Sequence, residues 1–255
     1  MHPAYILAQA TGAWLQYEFA CGRSMLFNER YMSVPIANAL FAIYRQEVRS
    51  EYLHPVLGAG RSGPGRRPEV DFAVIGKYPK VSCAVESKWL GSNGLTAEEI
   101  LWDLLRLELI AHSEKVPAFF LLGGRRKHLE HFFQSRVFLG KPNSKGKYRR
   151  LLKLDGAGQS RLRVDSPTPD RKDAFAKLFK PYQNLSFSSF VTTSFSYVYP
   201  QQCPMFQYQV YVWHVLAPHG TPRFFPRAHK LYALKPESEP DSLNLTSKSA
   251  TPEAN

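Results

Sequence analysis

Cysteine is scarce in this chain. Cys21, Cys83 and Cys203 are odd in number and far apart among 255 residues, which excludes a disulfide framework and the close-set ligand spacings of a structural zinc site. Long apolar runs are missing too. No stretch reaches the roughly 18 apolar residues of a membrane span, and the opening M-H-P-A-Y-I-L-A-Q-A-T-G-A-W lacks the basic start and sustained apolar segment of a signal peptide. The expectation is a soluble cytoplasmic protein in a reducing compartment, with no membrane contact. Internal repeats are absent. Acids are the other shortage: 21 Asp and Glu stand against 33 Lys and Arg, a formal charge of +12 and a pI near 9.6, which suits a polyanionic partner.

What is present is enough apolar matter, 44% hydrophobic and 13% aromatic, to build one large domain or two small ones. The positive charge is local. Residues 125–180 hold 16 Lys and Arg against 5 acids, a surplus of 11, whereas the last twenty residues are polar, rich in Pro and Ser, and expected to be a disordered tail.

The stretch from Pro68 to Trp89, P-E-V-D-F-A-V-I-G-K-Y-P-K-V-S-C-A-V-E-S-K-W, contains two runs rich in Val, Ile and small apolar residues, separated by a turn-like Gly76–Lys80 cluster. This pattern predicts a β-hairpin. A four-residue loop would pair Gly76 with Val81 and set Asp71 opposite Glu86. Alternation then gives Phe72, Val74, Cys83 and Val85 one apolar face, and Asp71, Glu86 and Lys88 the other. A five-residue loop would instead bring Glu69 or Val70 into contention. Facing carboxylates repel unless a cation relieves them, so the spacing suggests a metal.

An acid on one strand followed by E-x-K on the next resembles the PD-(D/E)XK nuclease superfamily, carried here by Asp71, Glu86 and Lys88 with Pro68 and Glu69 just upstream. The resemblance implies an α/β fold: a restriction-endonuclease-like core with a mixed central sheet flanked by helices, over residues 1–135. It implies Asp71 and Glu86 as ligands of Mg²⁺, with Mn²⁺ as a substitute, and the Ser87 backbone carbonyl as a third ligand. Lys88 would orient or help deprotonate the attacking water. The first helix of such proteins commonly supplies a glutamate, for which Glu29 is the first choice and Glu18 the second. The activity implied is phosphodiester hydrolysis in nucleic acid, DNA ahead of RNA, by an endonuclease more than an exonuclease. A homodimer is compatible.

The neighbouring segments fit that order incompletely. Ala13 to Tyr52 reads as helical, with Ser33 and Pro35 marking either a helix start or a kink. Residues 54–68 read as a Gly, Pro and Arg-rich loop with no convincing strand, unless Val56 and Leu57 form a short one. Thr96 and Glu99 form a T-x-x-E capping box that predicts a helix to about His112. V-P-A-F-F-L-L-G-G reads as a strand buried on both faces, and R-R-K-H-L-E-H-F-F as a short basic helix in which His128 and His131 lack zinc partners.

Residues 136–235 read as a basic, aromatic, β-rich region that either completes the core or forms a recognition lobe. In it, Phe206, Tyr208, Val210 and Val212 are expected to share one strand face, and His214 is a core or edge histidine. Candidate phosphate contacts are Arg66, Arg67, Arg125, Arg126, Lys127, Lys145, Lys147, Arg149 and Arg150, with Arg61 beside them. Two rivals stand beside the nuclease: a catalytically inactive nucleic-acid-binding protein of the same fold, and a structural protein whose charges are merely solvated.

Overall fold

The computed structural model describes residues 1–59, 68–77, 80–142, 144–148, 150–154 and 158–234. The expectations for Arg61, Arg66, Arg67, Arg149 and the tail from residue 236 therefore lie outside the described residues. In chain order the elements are helices α1 (Pro3–Ala20) and α2 (Ser33–Tyr44), strand β1 (Val48–Tyr52), the one-turn helix α3 (Pro55–Gly58), strands β2 (Val70–Ile75) and β3 (Val81–Leu90), helix α4 (Ala97–Glu114), strand β4 (Ala118–Arg125), helices α5 (Arg126–Phe133) and α6 (Arg136–Leu139), strand β5 (Gln159–Arg163), helix α7 (Pro169–Phe179), and strands β6 (Phe187–Ser188), β7 (Phe190–Tyr199), β8 (Tyr208–Leu216) and β9 (Arg223–Phe224).

Seven strands make one sheet in the order β1-β2-β3-β4-β8-β7-β5, while β6 and β9 pair separately. Only β3 and β4 run parallel; the remaining pairs are antiparallel. A parallel pair needs a crossover, and α4 supplies it. Its start is set by the capping box: Thr96 Oγ1 accepts from the Glu99 N–H at 3.2 Å, and the Thr96 N–H donates to Glu99 Oε2 at 2.7 Å.

Helices cover both faces of the sheet. On one side Leu101, Leu104 and Leu105 of α4 pack in a core with Ala84, Phe120, Trp213 and Val215. On the other, Leu7 and Leu15 of α1 and Ile36 and Leu40 of α2 pack with Phe72, Val74, Cys83, Val85, Phe119 and Val212. This explains why Ala118 to Gly124 is buried without interruption, as a central strand between two helical layers must be. At Gly12 a Cβ would lie 2.7 Å from the Tyr199 carbonyl oxygen, so only glycine lets α1 sit this close to β7. No helix among the described residues is long and apolar enough to cross a membrane.

Several expectations are corrected. Residues 48–52 are a strand, not the end of a helix. They pair with β2 from Val48↔Val74 to Tyr52↔Val70, and the sequence hides this because an edge strand with three exposed central residues shows no apolar alternation. Val56 and Leu57 lie in a helical turn rather than a strand. The first helix begins at Pro3, ahead of Ala13, with the His2 side chain accepting from the Ala4 N–H. Pro35 falls in the first turn of a helix that starts at Ser33, preceded by short 3-10 turns at Ser24–Leu26 and Arg30–Met32.

In the C-terminal half, β8 lies against β4 from Ala118↔Val215 to Arg125↔Tyr208, so it belongs to the central sheet. Tyr208, Val210 and Val212 share the expected face, but Phe206 is exposed and precedes the strand. His214 packs on the rings of His2 and Phe119, and burial first, then the charge of His2, pulls its pKa down to about 4.

Candidate functional site at the central hairpin

Strands β2 and β3 form the expected hairpin, with Phe72↔Val85, Ala73↔Ala84 and Val74↔Cys83 in register. One further step sets Asp71 level with Glu86. The turn differs from expectation: Ile75, not Gly76, pairs with Val81, and the Gly76 N–H donates to the Lys80 carbonyl at 3.0 Å. A bulge between Val74 and Ile75 absorbs the extra residue, which keeps the carboxyl-bearing end in register.

Asp71 is held by Ser87. Its Oδ2 accepts from the Ser87 N–H at 2.7 Å and the Ser87 hydroxyl at 3.1 Å, so the Ser87 contact seen here is a pair of donors. Asp71 also lines a cleft of about 370 Å³ with Glu29, Ser33, Ser50 and Glu51, which gives it access from outside. Glu86 is 0% exposed. Arg106 of α4 reaches it, Nη2 to Oε2 at 3.1 Å, and the same guanidinium binds Asp103 and the Glu69 carbonyl. Lys88, 16% exposed, has its Nζ 3.4 Å from both Asp103 Oδ2 and Glu29 Oε1.

These contacts shift the proton equilibria of Glu86, Asp103, Lys88 and Glu29. Burial first, then the neighbouring Asp103 charge, raises the Glu86 pKa well above the ordinary carboxyl value, with Arg106 opposing. Burial also raises Asp103, to about 6, against the pull of Arg106 and Lys88. For Lys88 burial works downward, but Asp103, Glu29, Asp71 and Glu86 outweigh it and hold the ammonium above its usual range. Glu29 is raised by burial, with Lys88 opposing. The result is a lysine held in its charged form beside three carboxyls, those of Glu29, Glu86 and Asp103, that resist ionisation.

Glu29 meets Lys88, although not from a helix face turned to the core: it sits just before the 3-10 turn at Arg30–Met32, with its side chain 43% exposed. Glu18, the second choice, lies elsewhere. Its carboxylate accepts from Arg23 Nε at 2.5 Å and from the Tyr31 hydroxyl, and those two hydrogen bonds bring its pKa down to about 2. Glu18 ties the end of α1 to the segment leading into α2.

The basic candidates divide. Arg125 ends β4, two residues beyond the Trp89↔Gly123 pair, and Arg126 and Lys127 open α5, so the three lie at the same end of the parallel strands as Lys88. Arg125 stacks its guanidinium 5.7 Å from the Tyr208 ring. Arg126 is committed to the fold through Glu130 at 2.7 Å and the Cys203 carbonyl, while Lys127 is exposed. Lys145, Lys147 and Arg150 are exposed on the loop after α6. His128 and His131 line a separate cavity with Lys127.

The sequence reading missed three residues. Asp103 and Arg106, one turn apart on α4, are hidden by the apolar stripe around them; the signal was a D-x-x-R pair on a helix otherwise committed to the core. Glu51 lay in the tract read as helix. It has φ 49° and lines the cleft with Asp71, an uncommon backbone state for a glutamate.

Among the described residues, no group of three or more His, Cys, Asp or Glu side chains is disposed to hold a metal ion. A Mg²⁺ site here would be a sparse one. Glu86 Oε1 is buried with no hydrogen-bond partner, which fits a cation, and Asp71 commits only its Oδ2 to Ser87. Arg106 on the other Glu86 oxygen supplies competing charge. The chain matches no protein-family model, and the comparisons with curated proteins and with solved structures found no match.

Proposed function

We propose that the protein is a metal-dependent nuclease with a restriction-endonuclease-like core, hydrolysing phosphodiester bonds in nucleic acid, DNA ahead of RNA. The observation that carries the reading is Glu86: a wholly buried carboxyl with an orphaned oxygen, two residues from Lys88 and in register with Asp71. Leaving that one oxygen buried without a partner costs stability, and a site that binds a cation gives that cost a use. The element order supports it as well: helices, three antiparallel strands, a crossover helix and a parallel strand.

In this reading Asp71 and Glu86 would hold Mg²⁺ or Mn²⁺. Bound there, the ion would relieve charge on the phosphoryl oxygens and acidify a water. Ser87 fixes the Asp71 carboxylate through two donors. Lys88, anchored by Asp103 and Glu29, stays protonated, so its part is to steady the phosphate and orient the water rather than to take the proton. Arg125 and Lys127, at the same end of the parallel strands, receive the flanking phosphates. The three free cysteines suit a reducing cytoplasm.

One observation favours a second reading, a nucleic-acid-binding protein without turnover: Arg106 already neutralises Glu86 as a metal would. The test is cleavage of supercoiled and linear duplex DNA, single-stranded DNA and RNA with Mg²⁺, Mn²⁺ or EDTA. Metal-dependent cleavage that Lys88→Ala abolishes is expected. Binding with a steep salt slope but no cleavage by any metal supports the second reading, and neither binding nor cleavage sinks both.

A further inference from the structure

At the far edge of the sheet, four strands from β3 and so roughly 19 Å away at ~4.8 Å per strand, a separate cavity of about 450 Å³ opens beside β5. Among the described residues its lining holds five cationic side chains, Arg150, Lys153, Arg161, Arg163 and Arg171, and no carboxylate. Two aromatic rings, Tyr148 and Phe190, stand beside them.

The wall is built into the fold. Trp213 Nε1 donates to the Lys153 carbonyl at 2.6 Å, and the Leu151 N–H donates to the Phe138 carbonyl at 2.9 Å, so the Leu151–Lys153 part of the wall is fastened to the core. Arg171, 2% exposed, donates to that same Phe138 carbonyl at 3.3 Å. Arg163 lies 5.5 Å from the Phe190 ring, and its Nε donates to Asp165 Oδ1 at 2.9 Å. Arg150 and Arg161 are exposed, and no carboxylate of the described residues pairs with either.

Like charges gathered in one concavity repel, and an anion that enters relieves the repulsion between the exposed Arg150 and Arg161. Guanidinium groups match phosphate oxygens in pairs. The volume falls within the about 300 to 1,000 Å³ usual for small-ligand sites, and a flat ring between arginines favours stacking of another flat ring. We infer that this cavity binds a nucleoside phosphate, its phosphate on Arg150, Arg161 and Arg171 and its base against Phe190 and Tyr148. The ligand is either a free nucleotide or the terminal nucleotide of a strand. The inference concerns a site apart from the hairpin and holds whether or not the hairpin cleaves.

The test is calorimetric titration of the full chain with AMP, with a 5′-phosphorylated oligonucleotide and its 5′-hydroxyl counterpart, and with adenosine and inorganic phosphate. Saturable one-site binding is expected for AMP, for the phosphorylated strand, or for both, and the tighter of the two names the source. Arg161→Ala should weaken that binding about five- to tenfold, the scale of about 1 to 1.4 kcal/mol for one net hydrogen bond. The charge-matched control Lys230→Ala, remote in sequence and exposed, should not. Binding equal to that of adenosine or of phosphate alone, no saturable binding, or equal losses in Arg161→Ala and Lys230→Ala would overturn the inference.

Discussion

Arg106 Nη2 stands 3.1 Å from Glu86 Oε2 across the boundary between α4 and β3, joining a wholly buried carboxyl to a helix whose other side chains are mostly core. The same guanidinium holds Asp103, which in turn faces Lys88. The chemistry of the hairpin is thus set from behind by a helix.

That arrangement predicts the effect of removing its centre. Arg106→Ala would leave Glu86 buried without its guanidinium and Asp103 with Lys88 alone, a loss on the order of 3 to 5 kcal/mol by the usual cost of breaking a buried pair. Urea unfolding measures it. Restoring most of the loss with Arg106→Ala/Glu86→Gln would show that the stranded charge, rather than lost packing, is responsible; no restoration would contradict it.

The raised carboxyls predict an unusual pH dependence. A group whose folded pKa exceeds its unfolded value binds more protons in the folded state, so its contribution falls as pH rises through that interval. For Asp103 the interval runs from 3.8 to about 6, and for Glu86 it begins at 4.5 and extends well above. Glu86→Gln should therefore be more stable than wild type at pH 8 and lose that advantage on acidification. A stability difference equal at pH 8 and pH 5 would remove the assignment.

Glu18 predicts the opposite sign. Its pKa is lowered from 4.5 to about 2, so its stabilisation is fully present above 4.5 and lost as pH falls through the lower value. Glu18→Gln should be less stable than wild type at neutral pH, and the two should converge between pH 4.5 and 2. The proposed cleavage activity, if the hairpin carries it, should survive this change at neutral pH wherever the variant remains folded.

Metal linkage separates the roles within the hairpin. Mg²⁺ or Mn²⁺ should raise the melting temperature of wild type, since binding to the folded state alone stabilises it. Asp71→Ala and Glu86→Ala should lose both that shift and the cleavage activity. Lys88→Ala should lose cleavage and keep the shift, because an ammonium is no ligand and its removal leaves more negative charge for the ion. Activity retained in both carboxylate variants would dismiss the site.

Gly12 carries a packing prediction independent of function. With a Cβ 2.7 Å from the Tyr199 carbonyl oxygen, Gly12→Ala must push α1 away from β7, at a cost of about 1 to 3 kcal/mol. This should outweigh the roughly 1 kcal/mol that alanine gains over glycine within a helix. A thermal melt above that of wild type would contradict it.

The amino-acid sequence by itself determined what short-range patterns encode. The hairpin faces followed from strict alternation, with Phe72, Val74, Cys83 and Val85 inside and Asp71 set level with Glu86. The start of α4 followed from the pairing of Thr96 with Glu99, and the burial of β4 from an unbroken apolar run. Tertiary structure alone decided the rest, because it depends on partners distant in the chain. β1 is a strand only because β2 offers it an edge; its own V-R-S-E-Y has no apolar period to announce it. The placement of β8 against β4, which makes the C-terminal half part of the central sheet, joins residues some ninety positions apart. Asp103 and Arg106 became part of the site when α4 crossed the sheet and turned one polar pair toward β3. The protonation of Lys88 and Glu86 was likewise undecided until burial and neighbouring charges were brought together, since neither desolvation nor a through-space Coulomb interaction can be read from spacing along a chain.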